Sequence, residues 1–145
     1  MSSIYINTDG GARGNPGPAG IGIVFFDENE KEIHKCCEYI GEATNNQAEY
    51  RAIIKALQIL KRSKWFTENN NPDSEIICRL DSQLVVEQIN GNFKIKNEGI
   101  KGLIDQIRAL LSDLKANISF IHIPREKNKL ADKMVNNAID TELKK

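Results

Sequence analysis

Apolar and polar residues alternate over residues 3–8, which is typical of a half-buried β-strand. Residues 20–26 and 32–40 are predicted to form a second and a third strand. The polar run 27–30 is short enough for a hairpin, so we expect the three strands to form an antiparallel meander. Residues 9–18 are rich in Gly and Pro and are predicted to form a turn.

Helical periodicity replaces the alternation in the rest of the chain. Thr44 and Gln47 have the spacing of a capping box, and the helix that they open is expected to end near Ser63. Further elements are predicted as strands at 75–80 and 118–123, and as helices beginning at Ser82, Asn97 and about Asn128. The order βββαβααβα indicates an α/β fold with a mixed five-stranded sheet and helices on its faces, because strands joined through a helix run parallel.

Length and composition indicate one globular domain over residues 1–145. A chain of 145 residues that is 40% hydrophobic has enough apolar material for a core. No apolar run approaches the roughly 18 residues of a membrane span, and no targeting segment is recognised. We therefore expect a cytoplasmic monomer without a membrane partner.

Charge and cysteine content exclude two kinds of function, strong non-specific binding of nucleic acid and zinc binding. Twenty basic and twenty acidic residues give no net charge, which argues against strong non-specific binding of nucleic acid. Three cysteines without C-x-x-C spacing and only two histidines do not match a zinc site. The cysteines are predicted to be buried, reduced thiols.

Four carboxylates follow predicted strands or begin predicted helices: Asp9, Glu49, Asp81 and Asp132. Each alone has an ordinary explanation: Asp9 as a turn residue and Asp81 as a helix-initiating residue. Asp132 is equally explained as a first-turn acid that suits the helix dipole, and Glu49 as a solvent-facing helix residue. If they converge, like charges about 4 Å apart repel by roughly 4 kcal/mol at an effective dielectric near 20, so a cation is needed. Oxygen ligands without Cys or His favour Mg²⁺ or Mn²⁺.

With their neighbours, these acids resemble the catalytic set of type 1 ribonucleases H. The resemblance is carried by residues 8–22, 44–57, 81–97 and 124–138. It implies two-metal-ion hydrolysis of the RNA strand of an RNA/DNA hybrid, which leaves 5′-phosphate and 3′-hydroxyl ends. It also implies that Asp9 bridges both ions, that Glu49 and Asp81 complete one metal site, and that Asp132 completes the other.

Substrate contacts are implied for small and amide residues near the acids. Glycines beside Asp9 would let nucleic acid approach the backbone, and 2′-hydroxyl contacts distinguish RNA from DNA. Thr44 matches a phosphate-contacting residue at a helix N-terminus, and its role as a plain N-cap could coexist with that contact. The residues expected to bind substrate are Gly10, Gly11, Gly14, Asn15, Thr44, Asn45 and Asn46.

Two features differ from the pattern of many type 1 enzymes. Arg125 stands where a loop histidine is common, so we expect an electrostatic role for it in catalysis. His122 lies in a predicted strand and is expected to be packed or on the sheet face. The short segment 91–97 replaces a basic protrusion that binds substrate in some members. Within it, Phe93 is expected either to make part of that substrate contact or to be a core residue.

Other functions on the same fold remain to be weighed. A non-catalytic binding module would lack one or more acids, and none is missing here. A strand-transfer enzyme would normally need additional DNA-binding domains. Cleavage of double-stranded RNA is an open additional activity, because hybrid and RNA duplexes share A-like features.

Overall fold

A computed structural model of the chain describes residues 3–145. The strands of this part are β1 (Ser3–Ala12), β2 (Gly17–Phe26), β3 (Glu32–Ala43), β4 (Glu75–Leu80) and β5 (Ile118–His122). The helices are α1 (Asn45–Arg62), α2 (Lys64–Asn69), α3 (Gln83–Ile89), α4 (Glu98–Leu114) and α5 (Lys129–Leu143), with a 3-10 turn at Arg125–Lys127.

The strands form one mixed sheet in the order β3-β2-β1-β4-β5. The first three strands are antiparallel neighbours, while β4 runs parallel to both β1 and β5. The predicted meander and the predicted parallel strands are therefore confirmed. This order places β1 and β4 side by side at the centre of the sheet.

The predicted turn at residues 9–18 is wrong in its extent. Strand β1 continues to Ala12 and pairs with β2 up to Ala19, so Gly10 and Gly11 are strand residues. The connection is confined to residues 13–16 and contains a cis peptide bond before Pro16. Gly and Pro marked the turn correctly, but the ladder of backbone hydrogen bonds extends the strands into the glycine-rich segment.

Helix α1 covers one face of the sheet. Its predicted capping box is present: the Thr44 hydroxyl accepts from the Gln47 amide at 3.1 Å, and the Thr44 amide donates to Gln47 Oε1 at 2.9 Å. Its apolar stripe, which includes Leu57 and Leu60, is fully buried against β1, and α4 packs on its other side. Burying such a side chain contributes about 1.5–3 kcal/mol.

Helix α2 has no counterpart among the predicted elements. The Ser63 hydroxyl accepts from the Phe66 amide at 3.1 Å and so caps its start. Trp65 and Phe66 are half-buried against the core. Six residues are too few to display helical periodicity in the sequence, so only the serine cap indicated this helix.

Helix α5 covers the opposite face of the sheet and packs on β2. A Cβ on Gly22 of β2 would overlap the backbone oxygen of Ala131, so the two elements approach as closely as the backbone allows. The Arg13 guanidinium, in the β1–β2 connection, also pairs with Asp140 of α5 at 2.6 Å. The β1–β2 hairpin is thus joined to α5 along its length.

The cysteines are reduced but only one is fully buried. Cys78 in β4 is 1% exposed, and burial raises the pKa of its thiol to about 12. Cys36 is half-buried and Cys37 is exposed, because β3 is an edge strand whose outer positions face solvent. The prediction of three buried thiols is therefore wrong for Cys37.

Candidate active site

The register of the two central strands brings Asp9 and Asp81 together. Strands β1 and β4 are parallel, and their last paired residues are Asn7 and Arg79. Asp9 and Asp81 each lie two residues beyond that pair, so both carboxylates leave the same edge of the sheet on the same side.

Glu49 joins this pair from α1. Gly10 permits the approach, because a Cβ at this position would overlap the backbone of Ala48 and Glu49. One carboxylate oxygen from each of Asp9, Glu49 and Asp81 lies within 4.8 Å of the others. Gly10 therefore has a packing role in bringing α1 onto β1, whatever contact its backbone makes with substrate.

Asp132 completes the cluster from the first turn of α5. It lies close enough to Asp9 to raise the pKa of that carboxyl, and its own side chain is exposed. A cavity of about 370 Å³ opens beside these residues and is lined by Asp9, Gly10, Gly11, Asn45, Glu49, Arg125 and Asp132, among others.

Burial and mutual repulsion make this cluster unfavourable in its fully ionised form. Burial, followed by the charges of Asp81, Glu49 and Asp132, raises the pKa of Asp9 to about 8. Burial also raises the pKa of Glu49 to about 7, while the nearby Ser82 and the positive charge of Arg125 act in the opposite direction. Without a cation, the site holds protons at neutral pH.

The donor set fits a hard divalent cation. All of the clustered ligands are carboxylates, which is the preference of Mg²⁺ and Mn²⁺. Glu49 Oε2 is buried and has no hydrogen-bond partner in residues 3–145. Buried carboxylate oxygens normally accept hydrogen bonds, and a buried oxygen without a partner destabilises the fold. A cation bound at Glu49 Oε2 would remove this destabilisation.

Arg125 and His122 occupy different surroundings. Arg125, in the 3-10 turn, lines the cavity and lies near enough to Glu49 to lower its pKa. His122 ends β5, pairs in register with Leu80 and is exposed. The expected strand position of His122 is confirmed, but the packed alternative is wrong, because the side chain is exposed at the last position of β5.

A second cavity of about 440 Å³ lies at the N-termini of α1 and α4. The substrate-binding candidates in its wall are Asn15, Thr44, Asn45 and Asn46, accompanied by Lys96 and Asn97. Asn45 belongs to both cavities and connects them. Gly14, at the tip of the β1–β2 hairpin with φ of 106°, is not a lining residue of either cavity.

Hydrogen bonds hold this wall in place. The backbone N–H of Asn45 donates to Asn15 Oδ1 at 3.0 Å, and Asn45 Oδ1 accepts from the backbone N–H of Ala12 at 2.8 Å. The start of α1 is therefore tied to the β1–β2 hairpin. These bonds use the oxygen of each amide side chain and leave the NH₂ groups as donors.

Phe93, in the segment between α3 and α4, is 49% exposed, so the expectation that it could be a core residue is wrong. Lys94 and Lys96 on the same segment are also exposed. Ile95 of the same segment packs against the core, whereas the Phe93 side chain faces solvent.

Two site residues were missed by sequence reasoning. Ser82, which caps α3, lies close enough to Glu49 to lower its pKa, and Asn128 donates to Asp81 Oδ2 at 3.1 Å. Each had an ordinary explanation as a helix cap, and a hydrogen bond to a distant acid leaves no signature in a single sequence. The position of Ser82 directly after Asp81 was the one available indication.

The fold and the acidic cluster define a class of nucleic-acid-processing domains, and the comparisons give the family. The family model described as "Reverse transcriptase-like" matches residues 7–138. A ribonuclease HI of Halobacterium salinarum is 36% identical over 137 residues, which cover 94% of this chain and 64% of that protein. The chain belongs to the type 1 ribonuclease H family.

Solved structures agree with this assignment. LC11-RNase H1, solved in complex with an RNA/DNA hybrid, is 46% identical and superposes with a TM-score of 0.88 over 97% of this chain and 99% of its own. A bifunctional protein of Mycobacterium tuberculosis is 37% identical over 138 residues. This chain spans only 35% of that relative's length.

Helices in residues 3–145 are all too short or too polar to cross a membrane.

Proposed function

We propose that this protein is an endoribonuclease that hydrolyses the RNA strand of RNA/DNA hybrids. The observation that carries the proposal is the convergence of Asp9, Glu49 and Asp81, with oxygens within 4.8 Å of one another, beside Asp132. Membership of the type 1 ribonuclease H family supports the same reaction. The hybrid bound to LC11-RNase H1 supports the same substrate class.

The four carboxylates would hold two Mg²⁺ or Mn²⁺ ions, with Asp9 shared between them. When bound, such ions lower the pKa of an attacking water and offset negative charge on the leaving oxygen. The water oxygen bonds to phosphorus and the bond from phosphorus to O3′ breaks, which leaves a 5′-phosphate and a 3′-hydroxyl. Arg125, exposed at the rim of the cavity, would neutralise charge on the phosphate or the departing product.

The connected cavities would bind the duplex. The NH₂ groups of Asn15 and Asn45 and the strand backbone at Gly11 provide hydrogen-bonding groups for bases and 2′-hydroxyls, and Gly14 lies at the tip of the hairpin that presents them. Thr44 at the start of α1 would bind a phosphate, since the N-terminus of a helix attracts anions. Asn46 and Lys96, in the wall of the same cavity, would extend this contact along the nucleic-acid strand.

The proposal is tested by a gel assay with one labelled RNA strand. The strand is offered as an RNA/DNA hybrid, as an RNA duplex and as a single strand, each with Mg²⁺, Mn²⁺ or chelator. We expect metal-dependent cleavage of the hybrid and none of the single strand. Slower cleavage of the RNA duplex would add double-stranded RNA as a second substrate. An intact hybrid under every metal condition would refute the proposal.

A further inference from the structure

Asn128 joins the two central strands of the site through its side chain. It lies between the 3-10 turn and α5 and is 1% exposed. Its Nδ2 donates to the Thr8 carbonyl at 2.9 Å and to Asp81 Oδ2 at 3.1 Å. Both N–H groups of the amide are therefore used, one on the backbone next to Asp9 and one on a candidate metal ligand.

The backbone of Asn128 is connected to two further site residues. Its N–H donates to the Arg125 carbonyl at 2.9 Å and closes the 3-10 turn. Its carbonyl accepts from the Asp132 amide at 3.1 Å and starts α5. A single buried residue is thus bonded to Thr8, Asp81, Arg125 and Asp132.

The direction of the amide argues against a role in helix capping. Asn is among the preferred N-cap residues, yet the Asn128 side chain makes no capping hydrogen bond to α5. Its Oδ1 is buried without a hydrogen-bond partner in the described part of the chain. An unsatisfied buried acceptor destabilises the fold, so the orientation of this side chain is explained by what Nδ2 holds.

We propose that Asn128 is a positioning residue that holds Asp81 in the orientation required for divalent-cation binding. An amide N–H cannot bind a cation, but it can hold one carboxylate oxygen and leave the remaining lone pairs for the ion. The bond to Thr8 keeps the same amide at a constant distance from the β1 end that carries Asp9. This inference rests on the proposed metal-dependent function.

The first test measures Mn²⁺ binding without substrate, by electron paramagnetic resonance titration of free Mn²⁺. Asn128→Leu removes both donors and keeps a similarly branched side chain, while Asn128→Ser provides a smaller variant should the leucine not be accommodated. We expect each to weaken Mn²⁺ binding by about 10- to 100-fold, the usual effect of losing a group that orients a metal ligand. The control Ser63→Ala removes a capping side chain at the opposite end of α1 and should bind Mn²⁺ like the wild type.

The second test asks whether the effect passes through Asp81. In an Asp81→Asn background, adding Asn128→Leu should weaken Mn²⁺ binding by a further factor of less than about two, because the ligand that Asn128 orients is already absent. A purely structural role would give the same loss in both backgrounds. That result, or Mn²⁺ binding by Asn128→Leu within twofold of the wild type, would overturn the inference.

Activity supplies an independent readout. Cleavage of a hybrid by Asn128→Leu should recover towards the wild-type rate as Mn²⁺ is raised, with KM for the hybrid unchanged. Reduced cleavage that extra Mn²⁺ does not restore would contradict a positioning role. Since the binding titrations contain no nucleic acid, they test Asn128 even if the wild-type protein binds Mn²⁺ and fails to cut hybrids, an outcome that would refute only the proposed function.

Discussion

At the scale of single residues, Asp9 is the carboxylate that interacts with each of the other three. We expect Asp9→Asn to abolish hybrid cleavage, because a neutral amide cannot replace a ligand shared by two cations. Binding of the hybrid should stay within about tenfold of the wild type, or about 1.4 kcal/mol, since the walls around Asn15 and Asn45 are untouched.

Single-turnover cleavage and a filter-binding titration measure the two quantities. Asp81→Asn and Asp132→Asn should behave in the same way. Cleavage by Asp9→Asn at more than a few per cent of the wild-type rate would contradict the two-ion arrangement.

Arg125 and His122 are distinguished by their surroundings. Arg125→Ala should lower kcat by roughly 10²-fold, the usual effect of removing one electrostatic donor, and Arg125→Lys should recover only part of it. His122→Ala is the matched control: the histidine is exposed at the end of β5, so we expect little change in kcat and only a small change in stability.

The measurement is single-turnover cleavage by the three variants across pH. The assignment is wrong if His122→Ala lowers the cleavage rate more than Arg125→Ala does.

At the scale of elements, the site depends on how closely helices approach the sheet. Gly22→Ala should destabilise the fold by about 1–3 kcal/mol, because the added methyl group overlaps the Ala131 backbone and pushes α5 away from β2. Hybrid cleavage should fall as well, since α5 carries Asp132.

Gly102→Ala is the control for this substitution. No atom lies within 4 Å of a Cβ at Gly102, which is exposed inside α4, so this change should stabilise the protein by about 0.4–1 kcal/mol. Urea denaturation of both variants checks the pair. A Gly22→Ala protein as stable as the wild type would mean that α5 does not need this close contact.

At the scale of the whole molecule, the uncompensated acids should make stability depend on metal. Millimolar Mg²⁺ or Mn²⁺ should raise Tm, because a cation that binds only the folded state stabilises it. Asp9→Asn should lose much of this response. Thermal melts with metal and with chelator measure it, and a Tm indifferent to metal at concentrations that support cleavage would contradict convergence of the acids.

The same acids predict how stability depends on pH when metal is absent. The folded-state pKa values of Asp9 and Glu49 are raised to about 8 and about 7, from ordinary values of 3.8 and 4.5. Between pH 4 and 8 (roughly), the folded state therefore binds more protons than the unfolded state, and the free energy of unfolding falls as pH rises.

Urea denaturation in chelator across this range checks the prediction. Asp9→Asn should flatten the profile, because the amide does not titrate. A wild-type stability that rises steadily through the same interval would show that these two carboxyls are not held in their protonated forms.

Much of the element order and the cluster of acids could be predicted from the sequence. Alternation and helical periodicity identify which face of a segment is buried, and the Thr44–Gln47 box identifies where α1 begins. The element order predicts that Asp9 and Asp81 meet if their strands are parallel neighbours, and the pairing of β1 with β4 confirms that they are. These features are local, so a single chain contains the information.

Only the tertiary structure decided which distant groups meet. The hydrogen bond from Asn128 to Asp81 spans 47 residues, and the overlap that excludes a side chain at Gly22 comes from α5. His122 is exposed at the end of β5, whereas Phe120, two residues earlier in the same strand, is buried. Sequence patterns determined the elements and the acids that they carry, whereas close packing between elements determined the partners, because periodicity specifies a buried face and not the atoms that cover it.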